Sequence, residues 1–219
     1  YTDITPGVRI PIHLLRNVSL ECPFAYISFG RQWEYLPLEA EVFGEYLRNG
    51  GFALFDNLTP WEEFSPAEMS MRQFIRDALG SGARFEPIPN DDPLYHCYFD
   101  FPDGPPIGSE LQFTGGAEIP SLSKQRMYLE GVRIHGRLVA VFSNKGYGNV
   151  WLRRGENEPQ LRMGVNFVVF ALLQEGGKVV KFLDDSLEPG IMAKRNIEGK
   201  ALMREPVSRQ SRRGMRGAR

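Results

Sequence analysis

Cysteine is scarce in this chain, and the common catalytic motifs are missing. Only Cys22 and Cys97 occur among 219 residues, too few for a disulfide framework. They could form a single bridge, but we interpret them as two buried free thiols, one at a strand start and one inside a strand. Gly-x-Ser-x-Gly, Gly-x-Cys-x-Gly, the P-loop and the dinucleotide-binding fingerprint are all absent. We therefore expect no catalytic nucleophile and no bound cofactor.

Charge excess, clustered histidines and long apolar runs are also missing. A net charge of −1 gives no overall attraction to nucleic acid or membranes. His13, His96 and His135 are scattered, so we expect no metal site. His96 and Asp100 would share one face of a strand about 13 Å apart, too far to chelate one ion. The longest apolar run, around 165–173, is too short to span a bilayer.

The apolar pattern predicts alternating strands and helices. A strand over 24–30, a helix over 36–49 and a strand over 52–56 form a βαβ unit, whose two strands should be parallel. The run Phe52 to Phe55 has no polar residue, which is typical of a strand covered on both faces. Ser65 is the predicted N-cap of the next helix, and Glu68 completes a capping box. That helix ends at Gly80.

The rest of the chain predicts further elements. We expect a short helix near 12–16, a short strand at 95–101, an irregular excursion over 102–127 and a hairpin over 130–144 that turns at His135-Gly136. An apolar helix at 161–174 and a last strand at 178–183 complete the series. These elements predict one α/β domain over residues 1–183. Residues 184–219 should form a flexible basic tail, with five arginines and no acidic residue between 206 and 219.

Polar residues follow several predicted strands, and they are the candidate ligand-binding residues. If the strands are parallel neighbours, their carboxyl ends converge on one crevice, where ligands bind in such sheets. The alternative is that strands simply end in polar turns. In that case Asp56 should accept hydrogen bonds from backbone N–H groups near Leu58 and Thr59. The candidates are Arg31, Asp56, Asn57, Asn144 and Tyr147.

A series of motifs resembles the bacterial family called domain of unknown function number 4159. The matching segments are "CPFAYISFG" (22–30), "EVFGEYLRNGGFALFDN" (41–57), "DDPLYHCYFDFPDGPP" (91–106), "GVRIHGRLVAVFSNKGYGNVW" (131–151) and "RMGVNFVVFAL" (162–172). The resemblance implies a three-layer, flavodoxin-like fold of the class I glutamine amidotransferase type, with a mostly parallel sheet. The chain differs from the family at Asn57 and Asp92, where the family commonly has Asp and His, so we assign no metal there.

The resemblance also implies an envelope-associated protein with no established activity. Because the chain begins at Tyr1 rather than Met, we expect that a signal or anchor was removed and that the protein lies in the bacterial periplasm or envelope, or otherwise in the cytoplasm. Our first hypothesis is a non-catalytic binding or scaffolding domain with protein partners. The alternative is a hydrolase-type enzyme that uses Asp56. A small-molecule ligand and weak contact of residues 206–219 with anionic surfaces are further expectations, without specific nucleic-acid binding.

Overall fold

The computed structural model describes residues 22–60, 62, 64–110, 127–153, 155 and 157–186. The strands are β1 (Phe24–Phe29), β2 (Phe52–Asn57), β3 (Glu86–Pro87), β4 (Glu130–Ile134) and β5 (Arg137–Ser143). The helices are α1 (Pro37–Arg48), α2 (Pro66–Leu79), α3 (Tyr147–Trp151), α4 (Glu158–Leu173) and α5 (Lys178–Ser186), with one 3-10 turn at Pro93–Tyr95. The protein is therefore a mixed α/β protein, as the alternating pattern predicts.

Within the described residues, five strands form one sheet in the order β1-β2-β5-β4-β3. The three strands β1, β2 and β5 are parallel, and β4 and β3 are added by antiparallel pairing. The predicted parallel βαβ unit and the predicted 138–143 strand are confirmed. Ser28 pairs with Asp56, and Asp56 pairs with Ser143, so the carboxyl ends of the three parallel strands lie at one edge. We call this the carboxyl edge.

Strand β2 is buried on both faces, which explains its uninterrupted apolar run. Ala53 and Phe55 belong to a core cluster formed with α1 and α2, which includes Phe43 and Phe74. Phe52 and Leu54 belong to a second cluster that includes Met163 and Phe167 of α4. Because successive residues of a strand face opposite sides, a strand with a core on each face needs an apolar residue at every position.

Local sequence signals set the bounds of α2. Ser65 Oγ accepts a hydrogen bond from Glu68 N at 3.2 Å, as the predicted N-cap requires. The second half of the predicted capping box is wrong, because the Glu68 carboxylate accepts from Phe64 N at 3.2 Å rather than from Ser65. Gly44 of α1 lets the two helices approach closely, since a Cβ there would overlap the Ala78 carbonyl of α2.

The predicted hairpin and apolar helix are also confirmed. Strands β4 and β5 are joined by His135 and Gly136, whose φ angles are 50° and 82°. Two positive φ values in a two-residue loop are the geometry that matches the twist of a hairpin. Helix α4 includes residues 161–173 of the predicted helix, and its C-cap Gln174 precedes Gly176-Gly177. These local signals were sufficient because each one depends on backbone geometry rather than on distant packing.

The predicted strand at 95–101 is wrong. Asp92 Oδ1 accepts from Leu94 N at 2.9 Å and caps the 3-10 turn, and the chain then continues through turns. The buried Asn166 side chain of α4 bonds both Phe99 N and Phe99 O, at 2.8 Å each. Those two groups are therefore unavailable for a sheet ladder. The coil brings His96 Nδ1 into contact with the Asp100 carboxylate, so the predicted separation of about 13 Å is wrong too.

The last predicted strand, 178–183, is also wrong, because this segment lies in helix α5. Lys178 N donates to Gly50 O and Lys181 N donates to Gly177 O, which begins a helical turn directly after the glycines. β-branched Val179 and Val180 favour strands only weakly, and tertiary context overrides that preference. The predicted helix near 12–16 and most of the predicted 102–127 excursion and 184–219 tail lie outside the described residues. By internal packing the chain divides into two units, Tyr1–Phe182 and Leu183–Arg219.

One helical stretch in the described residues, Glu158–Lys181, is long and apolar enough to cross a membrane by length and composition alone. It extends beyond the 165–173 run considered from the sequence and includes α4 and the start of α5. A core helix passes the same test, and Met163, Phe167 and Ala171 of α4 are buried in the second core cluster. This stretch is therefore weak support for a membrane span.

Candidate functional site

Asp56 is a fully buried carboxylate at the carboxyl edge, and both of its oxygens accept hydrogen bonds. Oδ1 accepts from Ser143 Oγ at 2.9 Å and from Tyr147 N at 3.1 Å. Oδ2 accepts from Gly148 N at 2.7 Å and from Tyr26 Oη at 3.1 Å. The donors come from β1, β5 and α3, so this side chain joins three elements. The expected donors near Leu58 and Thr59 are wrong.

Two glycines bring the start of α3 against Asp56. Gly146 has a φ of 57°, in the left-handed region that favours glycine, and it immediately precedes the helix. A Cβ at Gly148 would collide with the Tyr26 hydroxyl and lie 3.4 Å from Asp56 Oδ2. The glycines allow close backbone approach, and the group approached is this protein's own carboxylate.

Burial raises the pKa of Asp56 to about 6, because desolvation disfavours the charged form. The hydrogen bonds from Gly148, Ser143, Tyr147 and Tyr26 act in the opposite direction, and together they are weaker than desolvation. A carboxylate with this pKa can change its protonation near neutral pH. Among the site residues predicted from the sequence, Asp56 is thus the one whose pKa suits acid–base chemistry near neutral pH.

Asn57 and Asn144 form a second buried group beside Asp56. Asn57 Nδ2 donates to Asn144 Oδ1 at 2.8 Å, and Asn144 Nδ2 donates to Pro60 O at 3.2 Å. Asn57 Oδ1 accepts from Thr59 N at 3.0 Å, which is the Asx turn expected after the strand, made by Asn57 instead of Asp56. The structure therefore brings both asparagines together and occupies their amide groups internally.

A buried ion pair lies at the same edge, and the sequence did not predict it. Lys145 Nζ lies 2.9 Å from Glu110 Oε1, and both side chains are almost completely inaccessible. Glu110 Oε2 also accepts from Gly108 N at 2.7 Å. The position of Lys145 directly after the predicted site residue Asn144 is the one sequence signal that could have indicated it. Glu110 lies in the region that was expected to be irregular.

Tyr147 and Arg31, the remaining candidates, differ in their surroundings. Tyr147 is buried, its ring is parallel to Trp151 at 5.9 Å between centroids, and its hydroxyl donates to Pro106 O at 2.7 Å. Its ring face is thus covered by the protein itself. Arg31 follows β1 at the carboxyl edge and is exposed, whereas Asp56 is fully buried. The structure brings four of the five candidates together at the carboxyl edge, in two neighbouring hydrogen-bonded groups, and leaves Arg31 exposed.

Metal ligands and nucleophiles are the next groups to locate within the described residues. No group of three or more metal-ligating His, Cys, Asp or Glu side chains occurs in the part of the chain that the structure describes. Cys22 and Cys97 are both free. Cys22 is exposed, so its predicted burial is wrong, because it precedes β1 instead of lying within the sheet. Cys97 is half-buried and donates to Asn166 O at 3.3 Å, and burial raises its pKa to about 12.

Large apolar side chains are exposed around the first turns of α1 and α2. Leu36 and Leu38 are 57% and 54% exposed, and Phe64 and Met69 are 67% and 62% exposed. Both helices follow strands that end at the carboxyl edge, and the two helices pack against each other. We call these four residues the apolar rim. Clusters of exposed apolar side chains are a common property of protein-binding surfaces.

The sequence model of the family described as Domain of unknown function (DUF4159) matches residues 2–172, well over half of the chain. The chain belongs to this family. No curated protein matches the chain.

Proposed function

From its membership of this family, we propose that the protein is a non-catalytic binding or scaffolding domain of the bacterial envelope. The proposal includes a three-layer, flavodoxin-like architecture of the amidotransferase type. The parallel β1-β2-β5 core and the core clusters on both faces of β2 are consistent with that architecture. Fold does not determine function, so the functional proposal depends on the carboxyl edge itself.

The observation that carries the proposal is the internal use of the polar groups at the carboxyl edge. Asp56 already accepts four hydrogen bonds, and Asn57 bonds Asn144. A general base must reach a proton on its substrate, which requires a free lone pair and access. A fully buried carboxylate with four donors has neither, so its role here is to hold β1, β5 and α3 together.

The apolar rim supports the proposal that the partner is a protein. Its side chains are exposed beside a carboxyl edge whose buried polar groups are satisfied, and a protein surface can cover such side chains with a gain in hydrophobic free energy. An envelope location agrees with the expectations from the family resemblance. The arginines of residues 206–219 would add weak, salt-dependent attraction to an anionic membrane surface.

One observation favours the alternative, a hydrolase-type enzyme that uses Asp56. Its pKa of about 6 would let it accept a proton near neutral pH. For that role α3 or Tyr26 would have to move and release one carboxylate oxygen. The enzyme hypothesis thus requires a rearrangement, whereas the binding hypothesis uses the surface as it stands.

The test is an affinity capture from native bacterial envelopes with variants of the rim. We expect a partner that wild type retains to be lost in a Leu38→Glu/Met69→Glu variant, because charge at the rim prevents its desolvation. Leu173→Glu is the matched control, since Leu173 is exposed at the end of α4, away from the rim. The proposal is wrong if both variants retain the partner equally, or if Asp56→Asn folds normally but loses a turnover that wild type shows.

A further inference from the structure

A cleft of about 630 Å³ lies at the opposite edge of the sheet from Asp56. It is formed where the hairpin turn His135-Gly136 faces the end of α4 and the start of α5. Arg137 begins β5, so the cleft lies at the amino end of this strand. We call it the amino-edge cleft. Its volume is within the range of small-molecule sites, which is roughly 300–1,000 Å³.

The lining of the amino-edge cleft has an excess of positive charge. Four basic residues line it, against two acidic ones, Asp92 and Glu175. The basic residues are Arg48, Arg133, Arg137 and Lys181. Asp92 is paired with Arg133, and Arg48 pairs with Glu45. The lining residues outside these two ion pairs are the basic Arg137 and Lys181 and the acidic Glu175, so positive charge remains in excess.

Arg137 is held in place by backbone groups and not by a carboxylate. It donates from one terminal nitrogen to Gly51 O at 3.0 Å and from the other to Leu47 O. A guanidinium has five N–H groups, so three remain for other acceptors. Burial of this half-buried side chain lowers its pKa, because desolvation disfavours the charged form. An anion in the cleft would compensate that charge.

Gln174 gives an independent indication of a ligand. It is the C-cap of α4, and its side chain lines the cleft. Both polar atoms of its amide are buried without a hydrogen-bond partner among the described residues. An unsatisfied buried amide is unfavourable, and natural proteins rarely retain one without a reason. An amide in this state can donate one hydrogen bond to a ligand and accept another from it.

We propose that the amino-edge cleft binds a small organic anion that carries a phosphate or carboxylate group. The anionic group lies against Arg137 and Lys181, because a guanidinium fork matches the oxygens of either group. The Gln174 amide bonds a hydroxyl or carbonyl group on the body of the molecule, and Phe170 and Leu138 provide apolar contact. This site is separate from the apolar rim and does not depend on the function proposed for it.

The test is a calorimetric titration of the 219-residue protein with glycerol 3-phosphate, glycerate and uncharged glycerol. We expect saturable binding of one or both anions and none of glycerol, and the anion that binds identifies the group. Lys181→Glu should weaken binding severalfold. Gln174→Leu should weaken it about fivefold, the equivalent of one hydrogen bond of about 1 kcal/mol. Arg153→Glu is the charge-matched control, since Arg153 is exposed after α3 and does not line the cleft.

A second measurement separates a binding role of Gln174 from a structural one. Replacing an unpaired buried amide by an apolar side chain of similar size should leave the melting temperature of the ligand-free protein unchanged or higher. Loss of affinity without loss of stability supports the proposal. The proposal is overturned if neither anion binds, if glycerol binds equally well, if Arg153→Glu weakens binding as much as Lys181→Glu, or if Gln174→Leu mainly lowers the melting temperature.

Discussion

Asn57 Nδ2 lies 2.8 Å from Asn144 Oδ1, and this buried hydrogen bond joins residues that are 87 positions apart in the sequence. It links the last residue of β2 to the residue that follows β5. The bond from Asn144 to Pro60 O then fixes the loop after β2. These two amide side chains carry no net charge, so this link avoids the desolvation cost of ions, which the neighbouring Asp56 carboxylate and Lys145–Glu110 pair do carry.

We expect the two asparagines to be energetically coupled. Asn57→Ala and Asn144→Ala should each lower the free energy of unfolding by about 1–3 kcal/mol, because each leaves a buried partner unsatisfied. The double variant should lose less than the sum, with an interaction energy of about 1 kcal/mol. The measurement is urea denaturation of the four proteins. As a control, Asn57→Ala is combined with Gln73→Ala, an exposed change on α2, and the losses of unfolding free energy should add. An interaction energy between Asn57 and Gln73 as large as that between Asn57 and Asn144 would contradict the prediction.

Asp56→Asn should be destabilising with the fold preserved. Asparagine offers one oxygen where aspartate offers two, so its amide N–H group must face Gly148 N or Tyr147 N, which are also donors. We expect a loss of about 1–2 kcal/mol at pH 7, measured by urea denaturation, and unchanged partner capture. A stable variant that no longer retains its partner would indicate that Asp56 contacts the partner itself.

The effect of Asp56→Asn should depend on pH. Its pKa rises from 3.8 to about 6 on folding, so the folded state binds the proton more tightly than the unfolded state. Its stabilising contribution is complete below pH 4 and is lost as the pH rises through 6. The stability gap between wild type and Asp56→Asn should therefore shrink by on the order of 2–3 kcal/mol between pH 4 and pH 7. A gap that is constant across this range would show that the donors balance desolvation, and a gap that widens with pH would show that they outweigh it.

The two cysteines should react at different rates with a thiol reagent. Cys22 is exposed, whereas Cys97 is half-buried and has its pKa raised to about 12, which leaves very little thiolate at neutral pH. We expect one fast and one slow phase in the native protein, and only the slow phase in Cys22→Ser. Unfolding in urea should make both thiols fast. A single fast phase of two thiols in the native protein would contradict the assignment.

The fold was most predictable where geometry is local. The end of α2 at Gly80, the Ser65 cap and the His135-Gly136 turn each specify backbone conformation within a few residues. The apolar run of β2 also predicted its burial on both faces. The prediction of a strand at 95–101 was wrong because the conformation of this segment depends on Asn166, which lies 67 residues beyond Phe99 in the sequence. No pattern within 95–101 could reveal that bond.

The sequence predicted where the candidate site residues lie, but not what their side chains contact. Parallel pairing brings Asp56, Asn57 and Asn144 to one edge, as their positions at strand ends indicate. Whether such groups face a ligand or each other depends on side-chain packing, which a sequence pattern does not contain. Glu110 and Gln174 show the same limit, because one is buried by a partner 35 residues away and the other is left without a described partner.

His96 should be protonated at a higher pH than an unperturbed histidine, and Asp100 should be the main reason. Nδ1 contacts the Asp100 carboxylate, and Nε2 lies 2.7 Å from Asn90 O. Both neighbours are acceptors, so both ring nitrogens must carry a proton to satisfy them, which requires the charged form. The pKa of His96 is accordingly raised, by the Asp100 bond first and the Asn90 bond next. The bonds stabilise the protein below about pH 6.5 and are lost as the pH rises through the folded pKa.

The measurement is an NMR titration of the His96 ring, assigned with a His96→Gln variant. Asp100→Asn should lower the pKa of His96, because it removes the carboxylate and leaves only the Asn90 carbonyl and the more distant charge of Asp91. Asp103→Asn is the matched control, since Asp103 is an exposed carboxylate in the same segment and is not among the groups that raise the pKa of His96. If Asp100→Asn left the pKa unchanged, the His96–Asp100 contact would not exist in solution, and the coil between them would have to be held by Asn166 alone.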